Sequence, residues 1–456
     1  MLERLFKLKE RKTDVRTEVM AGLTTFMTMA YILAVNPGIL SGTGMDFNAV
    51  FFATAVAAGL ITIAMGLFVN FPIALAPGMG LNAYFAVVAA QNGGQFTWQV
   101  ALGAVFISGV IFIILTVTKV RQILVEAVPQ SIKLAITVGI GLFITIIGLK
   151  LSHLTVATLH LGPNLDAVTK QKGFVDSLFF FEWDLKIGNL TSHEPLLAII
   201  GLVIIGFLMA KKVKGALLYG IVATTLIGIP MGVTPVDKFK WAWPSFSNLA
   251  VGHLDIMGAL NAGIVTVVLT FTFVELFDTF GTLVGTASKA GLIDKEGKSP
   301  AISRAMLVDA FGVSFGAMMG TSTVTAFVES AAGIGEGGRT GLTAVTTGLL
   351  FLAALILAPF FALIPDAATA PALITVGLLM LSAVREIDFE DFTEALPAFL
   401  TIVMMPFTYS IANGVSAGIF FYTLLKVATG KANKVHWMMY LLTVLVIYRY
   451  IALAIG

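Results

Sequence analysis

Three acidic residues lie in stretches of this sequence that are otherwise almost entirely apolar. Glu275 and Asp278 occur three residues apart in TFTFVELFDTFGTL, and Glu329 follows a Thr-rich run in MGTSTVTAFVESAAGIGEGG. A carboxylate at the centre of an apolar span costs about 2.5–3.5 kcal/mol, so such a residue usually carries a function. It can bind N–H groups of a ligand or carry a proton; the alternative is that it only forms hydrogen bonds with neighbouring helices. Because residues three apart share a helix face, Glu275 and Asp278 are predicted to face the same way.

The composition indicates a protein that is surrounded by lipid. Hydrophobic residues make up 57% of the 456 positions and charged residues only 12%, whereas soluble globular proteins carry about 25% charged residues. The net charge of +2, the lack of cysteine and the spacing of the five histidines give no sign of a nucleic-acid partner, a metal site or a cofactor. No nucleophile lies at a suitable spacing from a general base, so a membrane-embedded enzyme is the less favoured alternative. We predict an all-α polytopic membrane protein that moves a small solute across a bilayer.

Apolar stretches long enough to span a bilayer recur along the chain. They cover about residues 18–40, 48–70, 97–120, 131–149, 194–210, 215–233, 259–284, 302–320, 341–364, 370–384, 395–412 and 414–427. Segments 71–91 and 321–338 are also apolar, but Pro, Gly or polar residues interrupt them. Counted as spans 3 and 10, these two interrupted segments bring the prediction to 14 transmembrane segments.

Each interrupted segment is predicted to be a short strand followed by a half-helix. In FPIALAPGMGLNAYFA, Pro77 and Gly78 follow an apolar run, and in the second segment the β-branched run around Thr323 precedes Glu329. β-Branched residues favour extended backbone, and Pro suits the first turn of a helix. The alternative is that both segments are continuous helices with ordinary Pro and Gly kinks.

Weak self-similarity divides the chain into two halves. AGLTT at 21–25 recurs as AGIVT at 262–266, and ITVG at 136–139 recurs at 374–377. Seven spans per half is an odd number, so the halves would enter the membrane from opposite sides as a 7+7 inverted repeat. The interrupted segments would then meet near the midplane, with the N–H groups of both half-helices directed into one pocket.

We predict that this pocket binds the transported solute. Besides the three acids, the predicted site contains four residues at the two breaks, namely Gly78, Asn82, Thr323 and Phe327. The amide of Asn82 offers both a donor and an acceptor. Asp309, by contrast, is predicted to be structural and to pair with Arg304.

The distribution of Lys and Arg places the N-terminus in the cytosol. Basic residues in short loops stay on the cytosolic side. With this orientation every predicted inside loop carries Lys or Arg, whereas the short outside loops SGTGMDFN and AQNGGQFTW carry none. The alternation requires both interrupted segments to cross the bilayer. We therefore predict a multi-pass protein of the cytoplasmic membrane.

Four stretches of the sequence carry motifs of a known family. They are TEVMAGLTTFMTMAYILAVNP, ALAPGMGLNAYF, FVELFDTFGTLVG and GTSTVTAFVESAAGIGEGGRTGL. With these motifs the sequence resembles the nucleobase-cation symporter family, in its adenine/guanine/hypoxanthine (azaguanine-type) purine permease branch, over almost the whole chain. The resemblance implies a core domain of spans 1–4 and 8–11 and a gate domain of spans 5–7 and 12–14; the hydropathy of the sequence adds a C-terminal apolar segment outside the repeat. The corresponding residues are 1–121 and 258–366 for the core, 122–233 and 367–430 for the gate, and 435–456 for the C-terminal segment.

The resemblance also implies roles for individual residues. Glu275 and Glu329 would bind a purine base, Asn82 would orient it, and Asp278 would influence selectivity or proton coupling. Glu275 is also expected to take part in proton coupling, because a carboxyl group in a dry pocket can bind a proton on one side of the membrane and release it on the other. More distant uracil and xanthine carriers have a Glu-Asn pair at the tenth-span break, whereas here Ser330 follows Glu329.

We therefore expect a secondary active transporter that imports the purine nucleobases hypoxanthine, guanine and adenine by proton symport, with an elevator-like movement of the core against the gate. Sodium as the coupling ion and assembly as a homodimer are left open. An anion carrier of the same architecture is the alternative within transport. It is disfavoured because an anion site would require Arg or Lys near the half-helix N-termini, where this sequence has acids.

Overall fold

The protein is predominantly helical, and its helices are of membrane-spanning length. The computed structural model describes residues 2–89, 96–118, 120, 123, 127–158, 184–236, 249–261, 267–268, 271–272, 275, 279, 282–283, 286–287, 290–292, 300–408 and 410–455. Within these residues, nine helices are long and apolar enough to cross a membrane, namely Val15–Ser41, Phe47–Val69, Trp98–Val117, Gln130–Leu151, His193–Ala210, Ile302–Met319, Gly341–Phe361, Asp366–Glu386 and Ile411–Ala428. Shorter apolar helices are Met79–Val88, Ala216–Gly228, Phe392–Phe407 and Trp437–Ile451. Most of the predicted span 259–284 lies outside the described residues. The chain is a helical polytopic membrane protein, as the sequence predicts.

The elements follow one another in an order that matches most of the predicted spans. Those of the first half are α1 (Leu2–Phe6), α2 (Val15–Met29), α3 (Ile32–Ser41), α4 (Phe47–Ala64, continued by a π turn, Met65–Val69), β1 (Leu75–Pro77), α5 (Met79–Val88), α6 (Trp98–Val117), α7 (Gln130–Leu151), β2 (Thr155–Thr158), β3 (Asp184–Ile187), α8 (His193–Ala210) and α9 (Ala216–Gly228). Those of the second half are α10 (Ile256–Asn261), α11 (Pro300–Met319), β4 (Val324–Ala326), α12 (Ser330–Gly335), α13 (Gly341–Ala353, continued by a 3-10 turn, Ala354–Leu357), α14 (Ala358–Phe361), α15 (Asp366–Leu381, continued by a 3-10 turn, Ser382–Glu386), α16 (Phe392–Phe407), α17 (Ile411–Ala428), a 3-10 turn (Ala432–Lys434) and α18 (Trp437–Ile455).

Polar residues at the ends of apolar runs set several helix boundaries. Asp14 begins α2 by accepting a hydrogen bond from Thr17 N at 3.0 Å, and Asp46 begins α4 by accepting one from Ala49 N at 2.9 Å. These caps satisfy N–H groups that have no partner within the helix. The π turn after α4 ends at Asn70, whose φ of 59° lies in the left-handed region that Asn tolerates better than most residues.

The two interrupted segments contain the strands that the sequence predicts. Strand β1 pairs antiparallel with β4, with Ala76 opposite Thr325. Two further backbone hydrogen bonds of 3.0 Å extend the pairing, from Gly78 N to Thr323 O and from Phe327 N to Ala74 O. Helix α5 follows β1 and helix α12 follows β4. Both segments are therefore a short strand followed by a helix, and neither is a kinked continuous helix.

The helices pack in two groups. In the first, α13 lies against α2 and α4, α11 lies against α4 and α6, and α12 lies against α2. In the second, α7 lies against α15 and α16, α8 lies against α9 and α15, and α17 lies against α16 and α18. Both strands belong to the first group, because β1 lies on α4 and β4 lies on α11. Helix α5 contacts α3 of the first group and α7 of the second.

Candidate functional site

The candidate site is the strand junction, by which we mean residues 74–82 and 321–330. It contains both strands, the start of α5 and the residues that lead into α12. All three residues of each strand are buried. Non-helical backbone in a membrane protein must find partners within the protein, since lipid offers none. The hydrogen bonds around the junction show how this is achieved.

Side chains satisfy the outer edges of the two-stranded sheet. The Thr62 hydroxyl donates to Leu75 O at 2.9 Å and accepts from Leu75 N at 2.8 Å. On the opposite edge, Asp309 Oδ1 accepts from Ala326 N at 3.2 Å. Asp309 is fully buried, whereas Arg304, the partner that the sequence suggests, is exposed. The hydrogen bonds to strand β4 agree with the structural role predicted for Asp309.

Gly78, Asn82 and Thr323 lie together at one end of the junction. Gly78 directly precedes α5 in extended conformation, and its N–H donates to Thr323 O at 3.0 Å. The buried Asn82 amide donates to Pro77 O at 3.3 Å and accepts a hydrogen bond from the Ser322 hydroxyl. Asn82 therefore connects the two interrupted segments. The buried Thr323 hydroxyl has no hydrogen-bond partner in the part of the chain that the structure describes, so a bound molecule could use it.

A series of hydrogen bonds connects Glu275 with the junction. The Thr279 hydroxyl donates to Glu275 Oε1 at 3.2 Å and lies 2.7 Å from the Thr325 hydroxyl of strand β4. The Thr325 hydroxyl carries one proton, which it donates either to Thr279 or to Asp309 Oδ1, 3.3 Å away. Glu275 is completely buried. A change in the charge of Glu275 would therefore alter the electrostatic energy of the side chains that hold strand β4.

Glu329 and Phe327 lie where strand β4 leads into α12. Glu329 occupies the position directly before α12 and remains partly exposed. Its Oε1 accepts a hydrogen bond of 2.7 Å from the hydroxyl of Tyr31, which lies between α2 and α3. Phe327 is buried, and its side chain belongs to the large apolar core. Glu329 is thus a half-buried carboxylate with a neutral donor on one oxygen.

The structure places six of the predicted site residues in the junction or in hydrogen-bond connection with it, namely Gly78, Asn82, Glu275, Thr323, Phe327 and Glu329. Asp278 lies outside the described residues.

Sequence reasoning missed Tyr31, Thr279 and Ser322, whose hydroxyl groups bond to the predicted site residues. The signal was present in part, since a hydroxyl in an apolar span needs a partner when it is buried. Spacing alone could not show which residue that partner would be.

Comparisons with known proteins agree with the fold and with the motifs. The Permease family profile, Xan_ur_permease, matches residues 16–172 and 181–417. A putative permease of Methanocaldococcus jannaschii is 46% identical over 453 residues, which is 99% of each chain. The adenine permease AdeP of Escherichia coli is 45% identical over 94% of this chain and 92% of its own. The guanine/hypoxanthine permease PbuG of Bacillus subtilis is 40% identical over 99% of this chain and 100% of its own.

Solved structures show that the fold recurs in transporters of low sequence identity. The transmembrane domain of the cyanobacterial bicarbonate transporter BicA has a TM-score of 0.61 at 18% identity and covers 88% of this chain and 97% of that chain. The family and the relatives are transport proteins, so this chain is a permease and not an enzyme. The extent of the profile match and the nearly full-length relatives place this chain in the Permease family.

Proposed function

We propose that this protein is a secondary active transporter of purine nucleobases, with hypoxanthine, guanine and adenine as its substrates. The names of relatives that are 40–45% identical over at least 94% of the chain support this substrate class. The observation that carries the proposal is the strand junction, where the paired strands have an amide and a hydroxyl at one end and the carboxyl group of Glu329 at the other. Gly78 N and the groups of Asn82, Thr323 and Glu329 belong to it, and Glu275 is bonded to it.

The chemistry of a purine matches these groups. A purine has flat apolar faces and an edge on which N–H donors alternate with ring acceptors. Glu329 and Glu275 can accept from such donors, while Asn82 can orient the ring by both donating and accepting. A site of this kind discriminates strongly, by about 10⁴-fold or more, because an analogue without the matching group leaves a buried partner unpaired. Acids at the site disfavour an anionic substrate.

We propose that uptake is coupled to protons, with Glu275 and Asp278 as the residues that carry the coupling and sodium as the alternative ion. Supporting this proposal, Glu275 is buried and its partner Thr279 bonds to strand β4 through Thr325. Protonation of Glu275 would change the charge next to the junction. The coupling would therefore act on the same strand that precedes Glu329.

We further propose a 14-segment, 7+7 inverted repeat whose core (1–121 and 258–366) moves as an elevator against its gate (122–233 and 367–430), with the N-terminus in the cytosol and the protein in the cytoplasmic membrane. The two packing groups support this division. Helix α13 packs on α2 and α4, and α11 packs on α4, whereas α15 packs on α7 and α8, and α16 packs on α7. Helix α5 touches α7 across the proposed boundary, where a Cβ at Gly80 would lie 2.5 Å from Ile140 Cγ2. Such close contact makes the boundary next to the site sensitive to movement of either group.

The proposal is tested by uptake into proteoliposomes that contain the purified protein. We expect accumulation of labelled hypoxanthine under an inward proton gradient, competition by guanine or adenine, and no competition by uracil. Dissipating the gradient with a protonophore should abolish accumulation. Uptake that follows a sodium gradient would refute proton coupling, and failure of every purine to enter or compete would refute purine transport.

A further inference from the structure

The first span holds the second interrupted segment at both of its ends. Before strand β4, the Asn36 amide on α3 donates to the Thr321 hydroxyl at 2.9 Å and to the Thr54 hydroxyl of α4 at 2.7 Å. After the strand, the Tyr31 hydroxyl donates to Glu329 Oε1 at 2.7 Å. The two contacts come from residues five apart on the same span, so this span fixes the position of the segment between them.

Tyr31 is held rigidly enough to orient the carboxylate. Its side chain is only 1% exposed, and it lies where α2 ends and α3 begins. Helix α12, which follows Glu329, is seated on α2 so closely that a Cβ at Gly333 would collide with the Thr25 side chain and the Ala21 carbonyl. Since close-packed side chains stay in one rotamer, the donor and the backbone of its acceptor keep a constant separation.

A donor on one carboxylate oxygen decides where the other oxygen points. A carboxylate is planar, so a hydrogen bond to Oε1 restricts rotation about the last bond of the Glu329 side chain and fixes the direction of Oε2. The Glu329 residue is partly exposed, so the protein does not enclose it completely. Without the Tyr31 hydroxyl, binding a ligand would first require ordering this side chain, and that cost reduces affinity.

We propose that Tyr31 is a positioning residue for substrate recognition: its hydroxyl orients Glu329 so that Oε2 accepts from an N–H group on the edge of the base. This inference rests on the proposed function, because it assumes that Glu329 contacts the transported base. Tyr31 itself acts through Glu329.

The test compares Tyr31→Phe with Tyr422→Phe in the same proteoliposomes. Both tyrosines are buried, but Tyr422 lies on α17, outside the strand junction. Tyr31→Phe removes one hydrogen bond to a charged group, so we expect KM for hypoxanthine to rise roughly tenfold or more. Its Vmax per folded molecule should stay within about twofold of the wild-type value, because a misoriented Glu329 weakens substrate binding. Tyr422→Phe should leave both constants unchanged.

A second variant covers the case in which Tyr31→Phe fails to accumulate. Tyr31→Met also removes the donor, and its flexible apolar chain can fill the space; the same rise in KM is expected. An unchanged KM in a folded Tyr31 variant would overturn the inference while leaving purine transport intact. Absence of purine uptake by the wild-type protein would instead refute the proposed function.

Discussion

Glu329 and Glu394 are two acids near the start of a helix, but their surroundings are opposite. The Glu329 carboxyl group accepts from the neutral hydroxyl of Tyr31. Glu394 lies 2.6 Å from the ammonium group of Lys426, whose side chain is only 4% exposed, and it also accepts from the Ser131 hydroxyl. A cation fixes the charge of a buried acid, whereas a neutral donor leaves the acid able to accept from a substrate or to bind a proton. The difference separates an acid that holds helices together from one that is suited to transport.

Glu394 belongs to a charged cluster, which comprises Ser131, Asp391, Glu394, Lys426 and Lys431. The cluster joins the start of α7, the start of α16 and the end of α17. Hydrogen bonds from the hydroxyl and N–H groups of Thr393, followed by the one from Lys431, hold the pKa of Asp391 below its usual value. Asp391 is therefore committed to its charged form.

The largest effect is expected for Glu329→Gln, which tests whether Glu329, unlike Glu394, acts in transport. Glutamine keeps the size of the side chain but removes the charge, and losing a charged partner of a buried polar contact costs about 2–5 kcal/mol. Accumulation of labelled hypoxanthine should be lost, by roughly 30-fold or more. The measurement is uptake per molecule of protein that elutes as a single species in detergent.

Glu336→Gln provides the control for this variant. Glu336 lies at the other end of α12, is exposed, and pairs with Lys214. Because an exposed ion pair contributes little, uptake should be retained. Normal uptake by Glu329→Gln would place Glu329 outside the site, and the comparison with Glu394 would then have no functional meaning.

A smaller effect, on stability, is expected when the cation is removed from the charged cluster. Lys426→Met removes the ammonium partner of Glu394, while Lys431 still pairs with Asp391. Because the Glu394 side chain is 21% exposed, the free energy of unfolding should fall by only about 1.5–3 kcal/mol. Replacing both members, as in Lys426→Met with Glu394→Leu, should recover most of this loss, since an apolar pair can substitute for a buried ion pair. Thermal unfolding in detergent measures both. Equal stability of the single and double variants would show that Lys426 does not neutralise Glu394.

The smallest effect is expected for Glu18→Gln, which changes a third acid, at the contact between α2 and α13. Glu18, on α2, is buried and accepts from the N–H groups of Arg339, Thr340 and Thr343 and from the Thr343 hydroxyl, at 2.6–3.3 Å. Glutamine brings an amide donor towards some of these donors, at a cost of about 1–3 kcal/mol. Thermal stability should fall, while KM for hypoxanthine in the folded fraction should not change. A raised KM would mean that a fully hydrogen-bonded acid can also control recognition.

Much of the fold could be predicted from the sequence. The Pro77–Gly78 pair and the β-branched run before Glu329 predicted a strand and a helix in each interrupted segment, and both are present. These features are local, because they depend on backbone preferences and on apolar length. The pairing of β1 with β4 joins residues about 250 positions apart, as in Leu75 with Ala326; the repeat pattern suggested only that the segments meet, and left their register open.

By itself, the sequence determined three things. It showed that the chain belongs in lipid, at which residues its apolar runs are interrupted, and which acids in those runs are too costly to be present without a function. Only the tertiary structure decided the partners of those acids. It gave Glu329 a tyrosine from the first span and connected Glu275 through Thr279 to strand β4. The physical reason is that the cost of a charge in an apolar span follows from the residue type and its place in the span, both of which the sequence contains. The group that offsets this cost comes from whichever helix packs beside it.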